Sequence, residues 1–274
     1  MRMALATAAC IGLSLSNGVV PLCAQMQNNI EKQMTCDQRR DDGDRARHCD
    51  IREQTLPSIG RLSVEGHNGG ATVKGWLRND VLVRARVDAT AENQGAADIL
   101  ASRVFVETSG GLVRSTGPDS TDNSGWSVSY EIFVPQNTDL SVKTHNGGVT
   151  ITDVRGQIHF EGHNGGVNLK RVDGDVSGNT HNGSIQVEMA GPSWQGRQLE
   201  TSTYNGGISV AMPAGFSAHF QAETSSGYIH SEFPITVTGE LRSRRLDTNI
   251  GSGGPLIHLT THNGQVLLKR TGTQ

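Results

Sequence analysis

Several things are scarce in this sequence, and each scarcity removes a class of protein. Aromatic residues make up only 4% of the 274 residues, and hydrophobic residues 35%. Bulky helical packing is therefore disfavoured, while 34 glycines suit a chain of many short strands and turns. Charge of one sign is not in excess: the formal net charge is −3, with both signs scattered along the chain. No basic patch points to nucleic acid, and no polybasic run points to anionic membrane. Beyond the N-terminus no stretch approaches the roughly 20 apolar residues needed to cross a bilayer. An all-β domain, large enough to fold as one unit, is the expectation.

The N-terminus reads as a secretory signal over residues 1–24. Arg2 supplies the positive start, Met3 to Val20 is apolar and small, and Leu22-Cys23-Ala24 precedes the expected cleavage before Gln25. Cys23 lacks the small residues before it that a lipoprotein signal requires. Removal of this segment leaves Cys36 and Cys49 as the only thiols of an exported chain, so one disulfide between them is expected. A zinc site built on Cys36, His48 and Cys49 lacks the paired close spacing of a structural motif. The residues between the cysteines are almost all charged, so residues 25–57 read as an extended, disulfide-clipped leader. The main domain is expected over 58–274. Periplasm and cell exterior both fit such a signal.

What is abundant is a repeat. His-Asn-Gly occurs at His67-Asn68-Gly69, His145-Asn146-Gly147, His163-Asn164-Gly165, His181-Asn182-Gly183 and His262-Asn263-Gly264. Tyr204-Asn205-Gly206 is a sixth copy and Ser225-Ser226-Gly227 a degenerate seventh. The asparagines Asn146, Asn164 and Asn182 are 18 residues apart, and steps of 23 and 21 lead on to Asn205 and Ser226. Alignment on the asparagine sharpens the pattern. Six positions before it stand Leu62, Leu140, Ile158, Val176, Leu199 and Ile257. Three after stand Ala71, Val149, Val167, Ile185, Ile208 and Val266, and five after stand Val73, Ile151, Leu169, Val187, Val210 and Leu268. All eighteen are apolar, whereas the position between the last two sets is polar in five copies of six. This is strand alternation on both sides of a glycine corner. A hairpin meander through Asn-Gly turns is the rival. The same corner recurs once per ~18 residues while the other bends differ, which favours a β-solenoid of coils of ~18–23 residues. In such a stack the asparagines can bond from coil to coil and occupy left-handed backbone, and glycine removes the cost of positive φ.

Between Asn68 and Asn146 lie 78 residues, so the repeat is interrupted. Val81 to Val87 alternates like a strand, Ala89 to Arg103 is alanine-rich and helix-like, and Val104 to Val106 and Trp126 to Val134 resume strand character around a polar loop. A strand-helix-strand insertion over about 80–135 is predicted near the N-terminal end, where it protects an open edge. Gly75-Trp76, the Trp126 to Pro135 strand, Thr144 to Val149 and Gly251-Ser252-Gly253-Gly254 together resemble the DUF4097 family of adhesin-like, strand-repeat proteins of the bacterial envelope. The resemblance covers about residues 50 to 270. It implies a right-handed solenoid and an exported protein, and it brings no catalytic or ligand residues. The chain departs from the pattern at Ser225-Ser226-Gly227, where the asparagine is lost.

Three functional classes compete. His67, His145, His163, His181 and His262 share one repeat position, and imidazole is a ligand for Zn²⁺ and Cu²⁺. Rings stacked about 4.8 Å apart lie alongside one another instead of converging on one ion, so no metal or other cofactor is expected. A polysaccharide-acting enzyme on a β-helix would need clustered carboxylates, and Asp153, Asp173, Asp175 and Glu188 share no repeat position. No Gly-x-Ser-x-Gly elbow occurs, and no catalytic residues are assigned. The third class, a non-catalytic binding or structural module, uses flat polar faces to hold a glycan, a wall polymer or an envelope protein, and it is the favoured reading. Trp194 and Tyr204 are candidate contact aromatics, with Trp194 read as core.

Overall fold

The computed structural model describes residues 34–36, 45–235 and 244–271. The predicted signal segment lies outside them, and the leader is described only in part. Twenty strands and one helix are present among the described residues. The first part of the chain forms β1 (Ala46–Pro57), β2 (Arg61–Asn68), β3 (Ala71–Trp76), β4 (Asp80–Ala91), α1 (Gln94–Ser102), β5 (Phe105–Glu107), β6 (Leu112–Thr116) and β7 (Gly125–Pro135). The repeats follow as β8 (Asp139–Asn146), β9 (Val149–Thr152), β10 (Arg155–Asn164), β11 (Val167–Lys170), β12 (Asp173–Asn182), β13 (Ile185–Glu188), β14 (Gln198–Asn205) and β15 (Ile208–Met212). The chain ends with β16 (Ala218–Ser226), β17 (Ile229–Ser231), β18 (Arg245–Ile250), β19 (Leu256–Asn263) and β20 (Val266–Arg270). These strands make two open ten-stranded sheets.

Each copy of the repeat is a rung with two sides. A strand ending in the asparagine lies in one sheet, and the strand beginning three residues later lies in the other; β8 and β9 are such a pair. The hairpin alternative therefore fails, because the strands flanking Asn-Gly are not hydrogen-bonded to each other. They pair with the equivalent strands of neighbouring rungs, in parallel and in register: Ile158 with Leu140 and Val176, and Val167 with Val149 and Ile185. The physical cause is the alternation itself. All eighteen aligned apolar positions are at most 3% exposed and face the space between the sheets. A slip of one residue would turn every one of them to solvent.

The order of rungs departs from the order of the chain. Rungs follow sequence from β2-β3 through β8-β9, β10-β11 and β12-β13 to β14-β15, but the next neighbour of β14 is β19, and the next neighbour of β15 is β20. Leu199 pairs with Ile257, and Ile257 in turn with Phe220. The last rung is thus wedged between its two predecessors. The degenerate copy keeps its register, with Ser226 opposite Asn263, and β18 closes this end by pairing antiparallel with β16.

The opposite end is built by the interruption. In one sheet β7 runs parallel to β3 and antiparallel to β4, and β4 pairs antiparallel with β1 along its whole length. In the other, β6 extends β2 in parallel, and β5 pairs antiparallel with β6. Helix α1 starts at Asn93, whose side chain accepts from the Ala96 N–H at 2.9 Å, and it packs on β1 and β4 through Ala97 and Ala101. Two elements escape the sequence pattern. Residues 46–57, read as leader, are the edge strand β1, held by main-chain pairing that charged side chains do not prevent. Residues 112–116, short and mostly polar, are β6, recruited by the free edge of β2. The Cys36–Cys49 disulfide ties the preceding segment to β1.

Candidate functional site: a column of rings at the repeated corner

At the corner where one sheet passes to the other, the residue before each asparagine points outward, and in six consecutive rungs it carries a ring. His67, His145, His163, His181, Tyr204 and His262 stack face to face with centroids 5.3, 4.7, 5.3, 4.9 and 4.6 Å apart and planes within 12° of parallel. All six are exposed. Beside them runs an amide ladder, in which the Nδ2 of Asn146, Asn164, Asn182, Asn205 and Asn263 donates to Oδ1 of the asparagine one rung back at 2.8–2.9 Å. Tyr204, singled out as a contact aromatic, is a member of the column.

The glycines have a second role beside the positive φ read in the sequence, which Gly69, Gly147, Gly165, Gly206 and Gly227 adopt. Among the described residues only Asp153 and Arg171 combine a side chain with positive φ, so no asparagine adopts left-handed backbone. Gly183 and Gly264 also hold the corner without positive φ. Proximity is the requirement common to all of them: a Cβ at Gly147, Gly165, Gly183, Gly206, Gly264 or Gly227 would lie far inside contact distance of the neighbouring glycine's carbonyl oxygen. At the following position the approach relaxes to 3.0–3.3 Å at Gly70, Gly148, Gly166 and Gly207. Side chains are accepted there, as Ser184, Gln265 and Tyr228 show.

A third column was missed in the sequence. Two residues before the asparagine, or before Ser226 in the degenerate copy, the buried Thr180, Thr203, Thr261 and Thr224 donate to the corner carbonyls of Gly165, Gly183, Gly206 and Gly264 at 2.7–2.9 Å, and Thr144 donates to its own Gly147 carbonyl. The alignment on asparagine contained this signal, as a polar residue at a position facing inward.

The arrangement is poorly suited to a metal ion. Two imidazole nitrogens on one Zn²⁺ at about 2.0–2.1 Å can be at most about 4.2 Å apart, and parallel rings at the distances above do not converge. Among the described residues no group of three or more His, Cys, Asp or Glu side chains is placed to hold a metal. The carboxylates considered for catalysis are engaged at other corners. Asp153 takes both prongs of Arg171 at 2.7 and 2.8 Å, Glu188 lies 3.6 Å from the same guanidinium, and Asp175 pairs with Arg197. The Asp153 partner raises the Arg171 guanidinium, and the Arg197 side chain holds the Asp175 carboxyl below the ordinary range. Asp173 and Asp175 also accept the main-chain N–H groups of Gln195 and Arg197 from the next rung. Trp194 is 3% exposed and donates its indole N–H to the Gly174 carbonyl, so it belongs to the core.

On the outer face of the sheet containing β8, β10 and β12, side chains from successive rungs meet. His159 Nδ1 lies 3.2 Å from Ser177 Oγ, its Nε2 lies 2.9 Å from Glu161, and Lys143 reaches Glu161 at 3.1 Å. The His159 hydrogen bond, with help from Lys143, lowers the Glu161 carboxyl. Ser-His-Glu is a hydrolytic combination by composition. Here β10 is paired on both edges, so its main-chain N–H groups are committed to the ladder and do not offer an oxyanion hole. A shallow cavity of about 380 Å³ borders this group, lined among others by Arg61, Asp139, Gln157 and Arg197.

The family model for Toastrack DUF4097 matches residues 58–269, the span that holds the repeated corner. The chain belongs to that family. Among solved structures, this Toastrack DUF4097 chain is similar to a proposed cell adhesion protein from Clostridium sporogenes, with a TM-score of 0.44, 11% identity, and coverage of 82% of this chain and 100% of that one. It is also similar to a proposed adhesin from Bacteroides fragilis, with a TM-score of 0.37, 11% identity, and coverage of 82% and 97%. A proposed lipid binding protein from Parabacteroides distasonis gives a TM-score of 0.31 at 10% identity, with the same coverage. No curated protein matches the chain. No helix among the described residues is long and apolar enough to cross a membrane.

Proposed function

We propose that this Toastrack DUF4097 chain is an exported, non-catalytic binding protein of the cell envelope or cell exterior, adhesin-like in role. Its scaffold is read as a right-handed solenoid of ~18–23-residue coils. The observation that carries the functional reading is the division of labour at the repeat. Rings, asparagines, glycines and threonines of the corner satisfy one another from rung to rung, while Ser63, Ser141, Ser177, Asn179 and Ser202 on the adjoining sheet face are turned outward. A rigid face of repeated polar groups suits an extended polymer or a partner surface. Export is supported by the signal-like N-terminus and by the Cys36–Cys49 disulfide, which persists only in an oxidising compartment.

Two measurements test this reading. Fractionation of the producing cell should place the protein outside the cytoplasm, with Gln25 as its first residue. Pull-down of purified wall polymers, envelope glycans and envelope proteins by the mature chain should enrich at least one of them over a scrambled-face control. Cytoplasmic retention, or turnover of a polysaccharide or ester substrate abolished by Ser177→Ala, would sink the proposal.

A further inference from the structure

The ring column stops before the rungs do. The rung beyond His262 is β16, held in register by Ser226 opposite Asn263, and it carries Ser225 where its neighbours carry a ring. Tyr204 covers one face of His262 at 4.6 Å. The other face is turned toward a serine, which leaves a notch one ring deep. A cavity of about 330 Å³ opens at this place and follows the column, lined by Asn179, His181, Ser202, Tyr204, His262 and, at its end, Ser225.

We propose that this notch and groove form a subsite for a neutral glycan, with one pyranose ring laid on the free face of His262 and the next residues running beside Tyr204 and His181. The inference rests on the binding-protein reading above and gives it a ligand class and a place. Five observations support it. Among the described residues the lining contains no Lys, Arg, Asp or Glu, so phosphate-bearing or strongly anionic ligands find no counter-charge there. The inner threonines are spent on corner carbonyls. The outer Asn179, Ser202 and Ser225 side chains have no hydrogen-bond partner among the described residues, so they are free to meet sugar hydroxyls. Strands β14 and β19 are paired on both edges, so an extended peptide cannot add to them. Finally, rungs recur about every 4.8 Å, a step comparable with the advance per residue of an extended β-linked glycan. An exposed ring face flanked by a few unspent hydroxyl and amide groups matches a ring with one apolar face and a polar rim.

The test uses the mature full-length chain and a panel of neutral tetrasaccharides, cello-, chito- and malto-linked. Binding is followed by imidazole and amide NMR shifts. The expected result is saturable shifts at His262, Tyr204, Ser202 and Asn179 with at least one tetrasaccharide, and none at His67 at the far end of the column. Ser225→His places a ring in the notch and continues the stack. It should leave the thermal midpoint unchanged or raised and weaken binding by about tenfold or more, the loss of one ring-face contact. Tyr204→Ala should weaken it as well. If the tetrasaccharides bind but Ser225→His binds equally well, or the shifts cluster elsewhere, the subsite is wrong and the binding-protein reading stands. If none binds while envelope material is still captured, the subsite again fails alone. If nothing is captured at all, both fall. Binding of a small aromatic such as p-cresol in preference to every sugar would likewise overturn the glycan assignment.

Discussion

Glycine at the corner is required by its neighbours' carbonyls even where, as at Gly183 and Gly264, its own φ is not positive, and this separates two adjacent positions that look alike. Gly183→Ala puts a methyl group against the Gly165 carbonyl, and the rungs must part to admit it. It should destabilise the protein by about 1–3 kcal/mol or more, in the manner of an overpacked core. Gly166→Ser, one position on, has the room that Ser184 already uses and should cost less than about 0.5 kcal/mol. Urea unfolding of the pair checks both; equal losses would refute the proximity argument. Thr201 offers the opposite sign. Its hydroxyl is buried, at 1% residue exposure, and has no hydrogen-bond partner. Thr201→Val should therefore stabilise by about 1 kcal/mol, because it removes an unsatisfied polar group and keeps the shape. Glu161 supplies a pH signature. Its carboxyl is depressed by the His159 hydrogen bond and by Lys143, so its stabilising contribution is complete above the ordinary carboxylate value of about 4.3 and is lost only as pH falls through the lower folded-state value. Carboxyl NMR titration should find that midpoint below the free value, and His159→Ala should move it upward.

Strand order at the C-terminal end carries an element-scale consequence. Strands β19 and β20 fill a gap between rungs that precede them in sequence, so β16 and β17 cannot take their final places until the last residues arrive. Removal of residues 251–274 should leave β14, β15, β16 and β17 with unpaired edges. The expected outcome is a shift from the intact chain's own state toward larger, strand-paired oligomers and a broadened unfolding transition, read by size-exclusion chromatography and thermal melts. A truncated chain that keeps the intact chain's state and melts in one sharp step would show that β16 and β17 close directly onto β14 and β15. The N-terminal elaboration solves the same edge problem by other means: β4 and β7 turn antiparallel, β1 covers β4, and α1 packs over both.

At the scale of the whole molecule, the core is a line of near-identical layers, and stability is close to a sum of rung and interface terms. That regularity explains how much could be read without coordinates. Positions six before and three and five after each asparagine were legible as core because side-chain direction in a strand has period two, a property of the local chain. The all-β character and the Cys36–Cys49 cystine follow from local composition and spacing in the same way. The second reason for the glycines was not legible, since proximity to another rung leaves no trace in a single repeat. Nor was the position of the last rung. Six rungs present the same edges and the same Asn-Gly corner, so local pattern ranks their possible neighbours equally; connectivity through β18 and the loops around it breaks the tie. The notch at Ser225 belongs to both accounts. Its serine is visible in the sequence, but only the wedged last rung sets His262 beside it and turns a missing ring into a place for a ligand.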